Sequence, residues 1–127
     1  MHRKFKKGQL ICSEGSSGEE MFIILSGSVS VYKMINAEKI SFSRLGSNDF
    51  IGEIGLLLGG ERTASVEALE NTEVLVVNRQ SLEKKIQEDP AFALRMLTVM
   101  ARRITEGHFV ISSLQGMKRS LEIMHKV

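Results

Sequence analysis

Apolar and polar residues between positions 4 and 77 fall into short β-type runs, broken by turn residues roughly every eight to twelve positions. Phe22-Ile23-Ile24-Leu25 and Val74-Leu75-Val76-Val77 are unbroken apolar runs of strand length, suited to buried strands. Ser28-Val29-Ser30-Val31-Tyr32 and Ile40-Ser41-Phe42-Ser43 alternate with period two. A turn near Asn36-Ala37-Glu38 joins them into a hairpin. These runs suggest a barrel or a sandwich, and the meander makes sense as a small closed barrel. From Ser81 the period becomes helical. Ser81 to Glu88 predicts a short helix, and Asp89-Pro90 opens a second one, with aspartate as N-cap and proline in the first turn. Leu94, Leu97, Ala101, Ile104, His108 and Ile111 then follow a three-four spacing, a heptad-like seam. Gly107 and Gly116 weaken that helix, each by about 1 kcal/mol relative to alanine. A second stripe, Leu114, Met117, Leu121 and Met124, lets it continue or be followed by a further short helix. The expected organisation is mainly β with C-terminal helices. Residues 1–80 form the barrel, and residues 81–127 form a helical segment of the same domain.

Within the barrel, residues 51–66, Ile51-Gly52-Glu53-Ile54-Gly55-Leu56-Leu57-Leu58-Gly59-Gly60-Glu61-Arg62-Thr63-Ala64-Ser65-Val66, carry the candidate chemistry. Gly52 and the Gly59-Gly60 pair permit a tight loop with amides pointing inward. Glu53 to Leu58 has the length of about one and a half helical turns, and the start of a helix attracts anions. Arg62 adds a full positive charge on a planar fork that matches two phosphate oxygens. Ionised, Glu53 only accepts hydrogen bonds, which suits a ribose hydroxyl and repels phosphate. Thr63 brings a hydroxyl that donates and accepts. Together these residues are equipment for a sugar phosphate. The competing reading makes Glu53 and Arg62 a structural ion pair and the glycines plain turns.

The segment resembles the phosphate-binding cassette of the cyclic-nucleotide-binding domain family, in its catabolite-activator-like and protein kinase A regulatory-subunit-like forms. The likeness extends upstream through Phe5-Lys6-Lys7-Gly8, Glu14-Gly15, the run from Glu19 to Val29, and Leu45-Gly46-Ser47-Asn48-Asp49-Phe50. Downstream it reaches Asp89-Pro90 and Met100-Ala101-Arg102-Arg103, so it covers roughly residues 5 to 110. The spacing from Glu53 to Arg62 inside the whole ordered pattern makes the resemblance specific. It implies a jelly-roll type β-barrel with a short cassette helix and a long C-terminal helix. The implied ligand is a 3′,5′-cyclic mononucleotide, cyclic AMP ahead of cyclic GMP, with no separate cofactor. Thr63 occurs with either nucleotide in the family. The implied ligand residues are Gly52, Glu53, Ile54, Arg62, Thr63 and Ala64. Val31 and Leu45 would form part of the apolar wall against base and sugar, with ordinary core packing as the alternative for each. Arg103 aligns with an arginine that approaches the ligand; a surface salt bridge is its other reading. The hydroxyl pair that caps adenine in the family falls on Gly107-His108, a departure from the pattern. His108 then either contacts the base or sets the register of a dimer. The C-terminal helix of the family packs over the nucleotide and pairs with its copy in bacterial members, so a homodimer is implied here. Family members that are transcription factors append a helix-turn-helix domain. After residue 110 too little chain remains for one, so direct DNA binding is not expected from this chain. The family's leading helical segment is also missing, and the sequence leaves open whether this is a piece of a longer protein.

Bulk properties narrow the function classes. With 127 residues, one domain is the prior. An apolar fraction of 43%, a charged fraction of 25% and a formal net charge of +2 are ordinary, and the charge is too small to argue for nucleic acid by itself. Cys12 is the single cysteine, which excludes an intrachain disulfide and a cysteine-based zinc site. It reads as a small core residue, and a cytoplasmic location is the natural expectation. No segment is apolar enough to span a bilayer. A metal enzyme on a cupin-like barrel would need histidines inside the barrel, yet none occurs between His2 and His108. No serine of the predicted barrel has a histidine near it to act as base. The expectation is a non-catalytic regulatory sensor that transmits binding through its C-terminal helix. The alternative is a barrel used for dimerisation or partner docking without nucleotide.

Overall fold

The computed structural model describes residues 1–106 of the chain. The chain divides into two compact units, Met1–Lys84 and Lys85–Val127. The first contains eight strands: β1 (His2–Phe5), β2 (Leu10–Cys12), β3 (Met21–Ser26), β4 (Ser28–Ile35), β5 (Glu38–Gly46), β6 (Phe50–Ile51), β7 (Ser65–Ala68) and β8 (Thr72–Val77). They pair antiparallel in two four-stranded sheets, ordered β1-β8-β3-β6 and β2-β7-β4-β5. This is a jelly-roll-like sandwich. The closed barrel expected from the meander is not formed, because the chain leaves one sheet at Gly27 and enters the other. Consecutive β3 and β4 therefore lie in different sheets, and each sheet keeps two open edges.

Both sheets turn one apolar face to a shared core of Ile11, Phe22, Ile24, Val29, Ile51, Val66, Val74 and Val76, with Phe5, Cys12, Val31 and Leu45 packed against it. Each such burial is worth about 1.5–3 kcal/mol. The expected hairpin is present as β4 and β5. Asn36 and Ala37 at its tip have φ of 51° and 65°, the left-handed pair of a two-residue turn whose twist matches that of the strands. Val31 faces Ser43 and Tyr32 faces Ser41, so Phe42 is an extra residue that bulges β5.

The cassette helix α1 spans Glu53–Leu58, and α2 spans Arg79–Glu88. The α2 start lies two residues before the one expected from periodicity. Asn78 and Ser81 cap it reciprocally: Ser81 N donates to Asn78 Oδ1 at 2.8 Å, and Asn78 N donates to Ser81 Oγ at 2.9 Å. In the second unit α3 spans Pro90–Thr105, with Pro90 at its start as expected. Asp89 occupies the N-cap position, but its side chain makes no capping bond and accepts instead from Arg95 at 2.9 Å. That bond, first of all, holds the Asp89 carboxyl below its ordinary range. By helical periodicity Leu94, Leu97, Ala101 and Ile104 share one face of α3, while buried Met96 and Arg103 lie on the opposite one. His108, Ile111 and the second apolar stripe lie outside the described residues. Among the described residues no helix is long and apolar enough to cross a membrane.

Candidate functional site

The short strand β6 leads into Gly52, the N-cap of α1, whose φ of 83° is available to glycine at little cost and turns the chain directly into the helix. Glu53, the first residue of α1, is only 3% exposed. After the Gly59-Gly60 loop the chain returns to Arg62, 8% exposed, just ahead of β7. The Arg62 guanidinium donates through Nη1 to Gly52 O at 3.2 Å and through Nη2 to Glu20 O at 2.7 Å. Its central carbon stands 5.6 Å from the centroid of the Phe22 ring. The backbone of the same residue is clasped by the preceding loop: Arg62 N donates to Ser16 O at 2.7 Å, and Gly15 N donates to Arg62 O at 2.8 Å.

Close approach explains the glycines. A Cβ on Gly18 would overlap the guanidinium, and one on Gly52 would stand 2.8 Å from Nη1 and 3.0 Å from Glu20 O. Arginine carries five N–H donors in a fixed fork, and the two carbonyls hold that fork in one orientation while other donors stay directed elsewhere. The arrangement places a pre-oriented positive charge beside a buried carboxylate-bearing helix start. That combination can take an anion and a hydroxyl on one small ligand.

The other expected residues are distributed as follows. Ile54 and Ala64 are half-buried and Thr63 is exposed, all within the cassette. Val31 lies on β4 opposite Val66 of β7, so the end of the cassette runs alongside it. Leu45 on β5 pairs with Val29, one step further from the cassette, and both Val31 and Leu45 touch the core. Arg103 is buried on α3 in the second unit. His108 lies outside the described residues. Sequence reasoning missed the loop from Ser16 to Glu20 as the holder of Arg62. Gly18, three residues after Gly15 and next to Glu19-Glu20, is the signal that could have found it.

Cys12 packs against the core, and burial pushes its thiol above the ordinary range while the charge of Arg62 partly pulls it back. A groove of 540 Å³ lies along α1, lined by Glu19, Glu20, Leu57, Leu58 and Arg79 among others, and includes neither Glu53 nor Arg62. Among the described residues no group of His, Cys, Asp and Glu is placed to hold a metal ion.

Residues 2–89 match the family profile described as cyclic nucleotide-binding domain. The chain belongs to that family. As a cyclic nucleotide-binding domain it is 30% identical over 106 residues to the cyclic AMP receptor protein of Thermus thermophilus, covering 83% of this chain and 49% of the relative. The crystal structure of the catabolite activator protein of Thermus thermophilus superposes with a TM-score of 0.76 at 29% identity, covering 85% of this chain and 51% of that one. The cAMP-bound form of EAL enzyme Bd1971 superposes with a TM-score of 0.64 at 28% identity, over 87% of this chain and 30% of that one. The chain thus spans about half the length of the curated relatives it matches.

Proposed function

We propose that this chain is a non-catalytic, cytoplasmic sensor that binds a 3′,5′-cyclic mononucleotide, cyclic AMP ahead of cyclic GMP, and passes the binding event on through its C-terminal helix. One observation carries the reading: a buried guanidinium, oriented by the carbonyls of Gly52 and Glu20, stands at the start of the helix that opens with buried Glu53. In this reading Arg62 and the amides of Gly52, Ile54 and Ala64 hold the cyclic phosphate, which is charge-assisted bonding of the strong kind. Glu53 accepts from the ribose 2′-hydroxyl. Thr63 stands toward the base, and Val31 and Leu45 supply the apolar wall. Arg103 and His108, in the helical segment of residues 81–127, are the remaining candidate ligand residues of this reading. The cyclic-AMP-bound state of Bd1971 and the name of the Thermus relative favour adenine.

Calorimetric titration with cyclic AMP, cyclic GMP and 5′-AMP tests this. Cyclic AMP is expected to bind more tightly than cyclic GMP, and 5′-AMP, which carries a second phosphate charge and no ring, more weakly than either. No binding of any of them at millimolar concentration would leave a docking module without nucleotide in its place.

A further inference from the structure

One charged pair, Glu14 with Lys33, lies beside the end of β4 and outside the apolar core. On β4, Val29 is fully buried and Val31 packs against the core. Alternation puts Lys33 on that same face, one two-residue step beyond Val31, or roughly 7 Å along the strand. The pairing of β7 with β4 ends at Ser65 opposite Tyr32. Beyond that point Glu14 fills the edge of β4. Its amide donates to Ser65 Oγ at 2.9 Å, its Oε1 accepts from Met34 N at 3.2 Å, and its Oε2 stands 3.8 Å from Lys33 Nζ. The two side chains are 30% and 21% exposed, so they are sheltered but reachable. Ser65 belongs to the cassette and follows Ala64, the last of its expected ligand residues, so this pair flanks that end of the cassette.

We propose that Glu14 and Lys33 read the edge of the purine base and select a 6-amino over a 6-oxo purine; the inference rests on the cyclic-nucleotide reading above. The chemistry is a donor–acceptor match. An ammonium only donates and an ionised carboxylate only accepts. Adenine offers on one edge the N7 acceptor beside the N6 amino donor, which answers Lys33 and Glu14 in turn. Guanine offers two acceptors there, N7 and O6, and the second would face the carboxylate. With the phosphate at Arg62 and the sugar against Val31, a base that continued along β4 would meet this pair, one two-residue step beyond Val31. A two-point contact of this kind discriminates roughly ten- to hundredfold.

The test is calorimetric titration of the full chain and of Glu14→Gln and Lys33→Met with cyclic AMP and cyclic GMP, alongside thermal unfolding. Glu14→Gln keeps a carbonyl for Met34 N and adds a donor for O6, so the preference for cyclic AMP is expected to shrink about tenfold. Lys33→Met removes a donor to N7, which both purines carry, so both affinities should fall together with their ratio held. A purely structural role would lower both affinities equally in Glu14→Gln as well. The unsubstituted protein tests the same contact from the ligand side, since purine riboside 3′,5′-cyclic phosphate, lacking the 6-amino group, should bind about tenfold more weakly than cyclic AMP. Cyclic GMP binding as tightly as cyclic AMP, an unchanged ratio in Glu14→Gln, or full affinity for the deaminated ligand would each overturn the proposal. Absence of any nucleotide binding to the unsubstituted chain would remove the parent reading and this one with it.

Discussion

Arg62 holds backbone from three places at once: the loop at Ser16, the approach to β3 at Glu20, and the turn at Gly52. Its removal therefore acts on two observables. Arg62→Ala should weaken cyclic-nucleotide binding by about 2–5 kcal/mol, the usual cost of truncating one partner of a desolvated charge pair. It should also lower stability: Gly52 O keeps Leu56 N as a donor at 3.2 Å, but Glu20 O loses its charged donor, and a sheltered carbonyl left without one costs about 1–3 kcal/mol. Arg62→Lys separates the two effects, since a lysine keeps the charge but cannot span both carbonyls. Thermal unfolding and calorimetry on both variants check this, and an Arg62→Ala protein of unchanged affinity would place the phosphate elsewhere. The side chains of this site were legible in the sequence because charge and fork geometry travel with residue type. What holds Arg62 was not legible, because Glu20 O and Gly52 O are backbone atoms that any residue supplies.

At the scale of elements, α1 depends on the left-handed turn at Gly52. A side chain at φ 83° costs about 1–2 kcal/mol, and the added Cβ would press on both the Arg62 fork and Glu20 O. Gly52→Ala is thus expected to lower the unfolding free energy by about 2–4 kcal/mol, measured in urea. A loss below about 0.5 kcal/mol would mean that the turn relaxes freely. Most elements could be read from period and caps: the β4–β5 hairpin from alternation around Asn36-Ala37, α1 from the apolar run between glycines, α3 from Asp89-Pro90. Closure could not. Alternation tells which face of a strand is buried but not which strand lies beside it, and β1 with β8 or β2 with β7 pair across nearly the whole first unit. The bulge at Phe42 was equally hidden, since one extra residue leaves no mark on a nine-residue strand.

At the scale of the molecule, the open question is what the exposed face of α3 meets. Leu94, Leu97 and Ile104 are 68%, 62% and 52% exposed, and with Ala101 they make one apolar stripe on a single helix face. Contiguous exposed apolar surface of this kind marks an interaction site. The three-four spacing is that of a helix that pairs with a second helix, so the partner expected is a second copy of this chain. Leu97→Glu isolates the claim. Leu97 is largely in water already, so the substitution should change the stability of a single chain by no more than about 0.5 kcal/mol. Placed in a helix–helix seam, however, the same carboxylate would lose its hydration against an apolar partner and separate the two copies. Sedimentation equilibrium should show a dimer for the unsubstituted chain and a monomer for Leu97→Glu, with matching unfolding curves at low concentration. If the nucleotide biases the helical segment, linkage requires that ligand and dimerisation shift each other's equilibrium by the same factor. Cyclic AMP affinity should then vary with protein concentration in the unsubstituted chain and stay constant in Leu97→Glu. A monomer with and without nucleotide would remove the dimer, and a dimer whose ligand affinity ignores concentration would confine the seam to assembly and deny it a part in signalling.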